Sequence, residues 1–123
     1  MTLAEIANEL VAGCREGRER ANLDRLYAPD AVSVEGADMG SGQMTTGLAG
    51  IHGKHDWWKG AHDVHSTSVE GPFMQAPDKF SAIFDMDVTN RESGQRMQMR
   101  EVAVYTVADG RIAREDFFYG NGS

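Results

Sequence analysis

The sequence predicts an α+β domain in which three helices and one short strand precede four long strands. The first observation is a capping box at Thr2 to Glu5, which opens a run of apolar residues at helical spacing. The second is strict alternation of apolar and polar residues between Lys79 and Tyr119, as in half-buried strands. The third is a pair of short turns, at 90–94 and 108–110, which join these strands into an antiparallel meander.

The first two helices and the first strand occupy the N-terminal third of the chain. An amphipathic helix runs from Leu3 to Gly17 and places Cys14 on its apolar stripe. A second, short helix runs from Asn22 to Tyr27, and we expect Pro29 to end it because residues before proline avoid helical geometry. Residues Ala31 to Glu35 then form a short strand.

The middle of the chain contains a loop, a third helix and the next strand. Five glycines and no apolar period predict a loop from Gly36 to Gly50, which overlaps the start of a helix from Leu48 to His62. A strand from Val64 to Gln75 follows, with His65 on the same face as Thr67 and Val69, and Pro72 marks an edge strand or a bulge.

Two glutamates fall on the predicted inner face of the last three strands. The inner face of the strand from Arg96 to Val107 carries Glu101, and that of the strand from Ile112 onward carries Glu115. The other residues predicted on this face are Phe80, Ala82, Phe84, Met86, Val88, Met97, Met99, Ala103, Tyr105, Val107, Ala113, Phe117 and Tyr119. A buried carboxylate without a cation has a pKa raised by as much as ~3–5 units, which makes it a base at neutral pH. A carboxylate that pairs with arginine or lies in solvent at the edge of the sheet is structural instead. The sequence leaves both interpretations open for Glu101 and Glu115.

Other side chains on these faces and on the third helix are candidates for the same site. Tyr105, Tyr119 or His65 would stabilise an oxyanion or enolate, and His55 or His65 would serve in acid–base steps. The residues expected to line a ligand cavity are Trp58, His55, Phe84, Met86, Met99 and Phe117. Four histidines lie between His52 and His65 without a metal-binding motif, so no metal and no cofactor are expected.

Composition bounds the class of protein. A chain of 123 residues with 41% hydrophobic and 25% charged residues fits one domain spanning residues 1–123. A net charge of -7 without a basic run argues against nucleic acid or an anionic membrane as partner. With a single cysteine, polar residues at the N-terminus and no apolar window long enough to span a membrane, the cytoplasm is the expected location.

Three short motifs carry a resemblance to a known family. The chain has YAPDAV at 27–32 after an amphipathic helix, GIHG at 50–53 opening a helix, and VADGRI at 107–112 before the last strand. Together these resemble the SnoaL-like branch of the NTF2-like superfamily, over about residues 3 to 119. The resemblance implies a cone, in which a strongly curved, mostly antiparallel sheet wraps around three helices and encloses an apolar cavity. It also implies pairing of two copies through the sheet.

The resemblance also bears on catalytic residues. The superfamily includes polyketide cyclases, ketosteroid isomerases, dehydratases and proteins that only bind or scaffold. The aspartate base of ketosteroid isomerases would fall at Gly36 or a neighbour, and their second acid at about Ala103, so both are missing here. The acids at Glu101 and Glu115 occupy other positions of the presumed inner face. A ketosteroid isomerase is therefore not expected, and a related proton-transfer enzyme stays open.

Three functions remain open from the sequence. The first is a cofactor-free isomerase, cyclase or dehydratase, in which a buried glutamate moves a proton on a small apolar carbonyl compound. The second is a module that binds a hydrophobic small molecule without changing it. The third is a dimeric assembly domain in which outer-face charges meet across an interface. Those charges are Asp85, Asp87, Arg100, Arg114 and Asp116.

Overall fold

The computed structural model describes residues 1–36 and 43–119, and within them three helices precede most of a six-stranded sheet. The predicted α+β class is confirmed. In chain order the elements are α1 (Leu3–Glu16), α2 (Glu19–Leu26), β1 (Tyr27–Val34), β2 (Met44–Thr46), α3 (Leu48–Ala61), β3 (His62–Gln75), β4 (Lys79–Asn90), β5 (Arg96–Ala108) and β6 (Arg111–Tyr119).

Helix α1 begins and ends as its sequence predicts. The Thr2 hydroxyl accepts a hydrogen bond from the Glu5 amide at 3.2 Å, and the Glu5 carboxylate accepts one from the Thr2 amide at 2.8 Å. These two bonds satisfy amides that have no partner inside the helix. Gly17 ends the helix in the left-handed region, at φ 78°, where a side chain would be strained. Cys14 is partly buried against the core that this helix contributes.

Two predicted boundaries near Pro29 are wrong. Helix α2 ends at Leu26, and Tyr27 is already the first residue of β1 rather than the last of a helix. Pro29 lies inside this strand, in the stretch between Tyr27 and Val32 where the pairing with β6 is irregular, so its missing amide removes no regular ladder bond. The strand β2 was not predicted because it has only three residues, and residues 37–42 of the predicted loop lie outside the described residues.

The sheet has the strand order β2-β1-β6-β5-β4-β3. Strands β1 and β6 are parallel, and every other neighbouring pair is antiparallel. The β5–β6 turn consists of Asp109 and Gly110, both with positive φ, which is the hairpin turn whose twist matches the strands. The inner face of the sheet and the helices share one core, made of Ile6, Ala7, Leu10, Val11, Leu23, Leu26, Tyr27, Ala31, Ile51, Val69, Phe80, Ala82, Ala103, Tyr105 and Ile112.

Two of the sheet's irregularities change which side chains face inward. On β6, Ile112 pairs with Val107 but Arg114 pairs with Thr106, so Ala113 is an extra residue of a bulge. Ile112 is therefore the buried residue at this point, although the sequence pattern predicted Ala113 on the inner face. A second irregularity, between Glu70 and Phe73, contains Pro72 and lies on the edge strand β3, which confirms the predicted edge and bulge.

The outer face of the sheet carries an apolar row, of which two residues are exposed and one is half-buried. Ile83, Val102 and Phe118 are register partners on three adjacent strands, and Val102 and Phe118 are 37% and 57% exposed. Charged residues of this face pair within the chain: Arg100 with Asp85 at 2.6 Å and Arg114 with Asp116 at 3.0 Å. Arg96 pairs with Asp87 in the same way.

Candidate functional site

A large open cavity of about 1190 Å³ lies between the inner face of the sheet and the helices. Ten of the side chains that the sequence placed in a site line it together: Glu101, Glu115, Tyr105, Tyr119, Trp58, His55, Phe84, Met86, Met99 and Phe117. They meet because alternate residues of β4, β5 and β6 share the inner face, while one side of α3 covers it. No helix of the described residues is long and apolar enough to cross a membrane.

The placement of His65 in this cavity is wrong. Val64 pairs with Val88 and Ser66 pairs with Asp87, so His65 is the extra residue of a bulge in β3. A bulge shifts the alternation by one residue, which carries the side chain away from the face predicted for it. His65 is exposed, and its Nε2 lies 2.7 Å from the Thr89 hydroxyl.

Glu115 lies at the buried end of the site and has both carboxyl oxygens occupied. The Tyr27 hydroxyl donates to Oε2, and the Ser33 hydroxyl donates to Oε1 at 2.8 Å. Burial raises the pKa of Glu115, and the two hydroxyls and the Lys54 ammonium lower it only in part. At 1% exposure the carboxyl is shielded from the cavity's solvent, so its arrangement favours a structural role.

A lysine from α3 links this carboxyl to a second acid. Lys54 Nζ donates to the Ser33 hydroxyl at 2.6 Å and forms an ion pair with Glu35, which follows β1. The same ammonium lies 5.3 Å from the ring centre of Phe117, within the range of a cation–π contact. Three elements, β1, β6 and α3, are therefore joined by one polar network inside the cavity.

Glu101 differs from Glu115 in its surroundings. Burial, followed by the negative charges of Glu35 and Glu115, raises the pKa of Glu101 to about 7, against a smaller lowering by Lys54. Among residues 1–36 and 43–119, no group forms a hydrogen bond with its carboxyl. Its register partners on either side are Phe84 and Tyr119. This is a carboxyl with a raised pKa that faces a largely apolar cavity.

The two glutamates have different surroundings in the structure. Glu115 pairs with Tyr105, and Glu101 lies four residues from Tyr105 on β5, so the backbone positions of the two glutamates are roughly 13 Å apart along the strand at the usual rise per residue. Both oxygens of Glu115 are also engaged by hydroxyls. The two carboxyls are therefore distinct sites.

The two tyrosines have different partners. Tyr105 is 3% exposed and stacks on Phe80 with ring centres 4.8 Å apart. Burial raises the pKa of Tyr105 well above its usual value, so its hydroxyl remains a hydrogen-bond donor. That hydroxyl has no hydrogen-bond partner in the described part of the chain. The Tyr119 hydroxyl, in contrast, lies 3.4 Å from a carboxylate oxygen of Glu35.

Helix α3 supplies the aromatic side of the cavity. Trp58 stacks on His62 with ring centres 4.6 Å apart, while Trp57 is largely exposed at the cavity's edge. Burial, and next the charge of Lys54, lowers the pKa of His55, so this imidazole is neutral at pH 7. His52 instead contacts Asp24 at 2.8 Å. The four histidines therefore do not converge.

Four residues of the site were not found from the sequence: Tyr27, Ser33, Glu35 and Lys54. Ser33 and Glu35 alternate with Ala31 in the predicted strand from Ala31 to Glu35, so the alternation of that strand would have placed all three on one face. Lys54 follows Ile51 by three residues and precedes Trp58 by four, which is the spacing of one helix side.

Comparison with known proteins agrees with this geometry. The sequence matches the SnoaL-like domain family over residues 1–119. The chain belongs to the SnoaL-like family. No functionally curated protein matches the chain.

Solved structures share the fold of this chain. A protein from Mesorhizobium loti, described both as a candidate SnoaL-like polyketide cyclase and as a carbohydrate phosphatase, is 37% identical, with a TM-score of 0.90 over 97% of this chain and 100% of its own. An NTF2-like protein from Burkholderia thailandensis is 17% identical, with a TM-score of 0.83 over 98% of this chain and 92% of its own. A candidate isomerase from Bacillus subtilis is 19% identical, with a TM-score of 0.69 over 96% of this chain and 83% of its own. This SnoaL-like protein is thus related to a candidate polyketide cyclase, and it shares its fold with the other two proteins.

Proposed function

We propose that this SnoaL-like protein is a cofactor-free enzyme that transfers a proton at the carbon beside a carbonyl group of a small, mostly apolar substrate. Glu101 is the base. The observation that carries the proposal is a cavity carboxyl with a pKa of about 7 and no hydrogen-bond partner among the described residues. A base of this kind is half ionised at neutral pH and has both oxygens available to a substrate.

The rest of the cavity suits an enolate intermediate. Tyr105 keeps its proton and directs its hydroxyl to no other group of the described chain, so it is able to donate to the substrate's oxygen. Phe84, Met86, Met99 and Trp58 provide the apolar surface that holds a ring system. Isomerisation, aldol cyclisation and dehydration all begin with this proton abstraction.

Proton exchange in heavy water tests this function without knowledge of the natural substrate. A panel of apolar ketones, with 2-tetralone as the first member, is incubated with the protein, and deuterium uptake beside the carbonyl is followed by mass spectrometry. Accelerated exchange supports the enzyme. Ketones that raise the melting temperature but exchange no faster than in buffer support the alternative, a module that only binds apolar molecules.

We also propose that the apolar row of Ile83, Val102 and Phe118 pairs with the same row of a second copy. A two-fold axis through such a row buries it against itself, and the flanking ion pairs remain at the rim. We expect wild type to sediment as a dimer at micromolar concentration and Val102→Asp as a monomer. Gln98→Asp, on the same face outside the row, should stay dimeric. A monomeric wild type would contradict the pairing.

A further inference from the structure

We infer that Lys54 is a second catalytic group, whose ammonium contacts the carbonyl oxygen of the substrate and stabilises the enolate. This inference rests on the proposed function, since it assigns the electrophile that a Glu101 base requires. It depends on the contacts of one side chain. Lys54 lines the cavity, is 23% exposed, and extends from α3 toward the inner face of the sheet.

The hydrogen bonds of Lys54 leave one donor for a ligand. An ammonium has three N–H groups and accepts nothing. One N–H donates to the Ser33 hydroxyl at 2.6 Å, and a second contacts the Glu35 carboxylate. The third N–H has no hydrogen-bond partner among the residues that the structure describes. On that side, the ammonium lies 5.3 Å from the ring centre of Phe117. A carbonyl oxygen of a bound molecule would complete the set.

The network also fixes the direction of each hydrogen bond around Lys54. Because the ammonium only donates, the Ser33 hydroxyl must accept from it and send its own hydrogen to Glu115 Oε1, at 2.8 Å. The Tyr27 hydroxyl occupies the other oxygen of Glu115. Lys54 is therefore held by its partners before the substrate binds, and a donor positioned before the reaction stabilises developing charge most strongly.

The charge balance of the step is consistent with this role. Glu101 takes the proton from the carbon beside the carbonyl; the electron pair of that C–H bond forms the carbon–carbon double bond, and the carbonyl π pair moves to oxygen. Glu101 becomes neutral, and the negative charge now lies on the substrate's oxygen. Lys54 supplies the positive charge, while its ion pair with Glu35 keeps that charge compensated before substrate binds.

Two aromatic probes test the contact. 2-Naphthol mimics an enol, and its absorption spectrum distinguishes the ionised from the neutral form; 2-methoxynaphthalene has nearly the same shape but cannot ionise. We expect wild type to bind part of the 2-naphthol as its anion at neutral pH. Lys54→Met should weaken 2-naphthol binding about tenfold or more and remove the anion's absorption band, with unchanged affinity for 2-methoxynaphthalene.

Two further variants separate a catalytic from a structural lysine. Lys54→Arg keeps the charge and should restore most of the anion's absorption. The double variant Glu35→Gln/Lys54→Met removes both members of the ion pair, so no unpaired carboxylate remains in the cavity. It replaces Lys54→Met in the test if that single variant does not fold. If Lys54→Met, or this double variant, binds the naphtholate as wild type does, Lys54 is not the electrophile.

Glu101→Gln distinguishes failure of this inference from failure of the proposed function. The amide mimics protonated Glu101, so it should abolish ketone exchange yet preserve or strengthen naphtholate binding. A loss of the naphtholate in Lys54→Met beside undiminished exchange in Glu101→Gln would refute the base and leave the Lys54 contact standing. If instead Lys54→Met binds the naphtholate as wild type does and Glu101→Gln loses ketone exchange, Lys54 is refuted and the base stands.

Discussion

Glu101→Gln is expected to lower the rate of deuterium exchange beside a ketone carbonyl by about 10²–10⁴-fold, the usual contribution of a positioned general base. The amide has nearly the shape of the carboxyl but cannot accept a proton. In wild type the rate should rise with pH through about 7 and then level off, because only the ionised form of Glu101 is a base. Quantitative mass spectrometry of the labelled ketone measures both effects.

The control for this variant removes a carboxyl elsewhere in the sheet. Glu70 lies on the exposed edge strand β3 and contacts Arg100 at 3.7 Å, so Glu70→Gln should leave exchange within a factor of about two. Melting temperatures of both variants establish that they fold. If Glu101→Gln exchanges within threefold of wild type, the base is another group, and Glu101 only lines the cavity.

Glu115→Leu is expected to lower the free energy of unfolding by about 2–5 kcal/mol, because two buried hydroxyl donors lose their acceptor. Tyr27 and Ser33 both donate to this carboxyl, which joins β1 to β6 across the parallel strand pair. The melting temperature should fall by roughly 10–20 °C for a domain of this size. Urea unfolding followed by tryptophan fluorescence gives the free energy.

A second variant shows whether the loss of stability in Glu115→Leu comes from the two hydroxyl donors that lose their acceptor. Tyr27→Phe/Ser33→Ala/Glu115→Leu replaces the whole group by apolar side chains and should recover a large part of the lost stability, since no buried polar atom is then left without a partner. Asp116→Asn, on the same strand but paired with Arg114 at the surface, should change stability little. If Glu115→Leu is as stable as wild type, the network does not hold β1 and β6 together.

The fold and part of the candidate site follow from regular periods in the sequence. On β4 and β5 the alternation of side chains is unbroken, so Phe84, Met86, Met99, Glu101 and Tyr105 lie where a period of two residues puts them. The capping box and the glycine that ends α1 are local chemistry, readable over a few residues. Such patterns need no knowledge of distant contacts.

The errors arise where the backbone departs from a regular period or where distant elements meet. His65 and Ala113 are extra residues in bulges, and neither position carries a residue type that marks one. Lys54 and Ser33 come together only because α3 packs on β1, a tertiary contact with no local signal. The partners of Glu115 are likewise far from it along the chain, so the sequence could not separate a structural from a reactive glutamate.

The most direct test of the central claim is a carbon-13 NMR titration of the Glu101 carboxyl, assigned by comparison with Glu101→Gln. We expect a midpoint near 7, because burial and the charges of Glu35 and Glu115 disfavour the carboxylate. A midpoint close to the value of an exposed glutamate, about 4.3, would show that Glu101 is fully ionised and solvated at neutral pH. The proposed base would then be wrong.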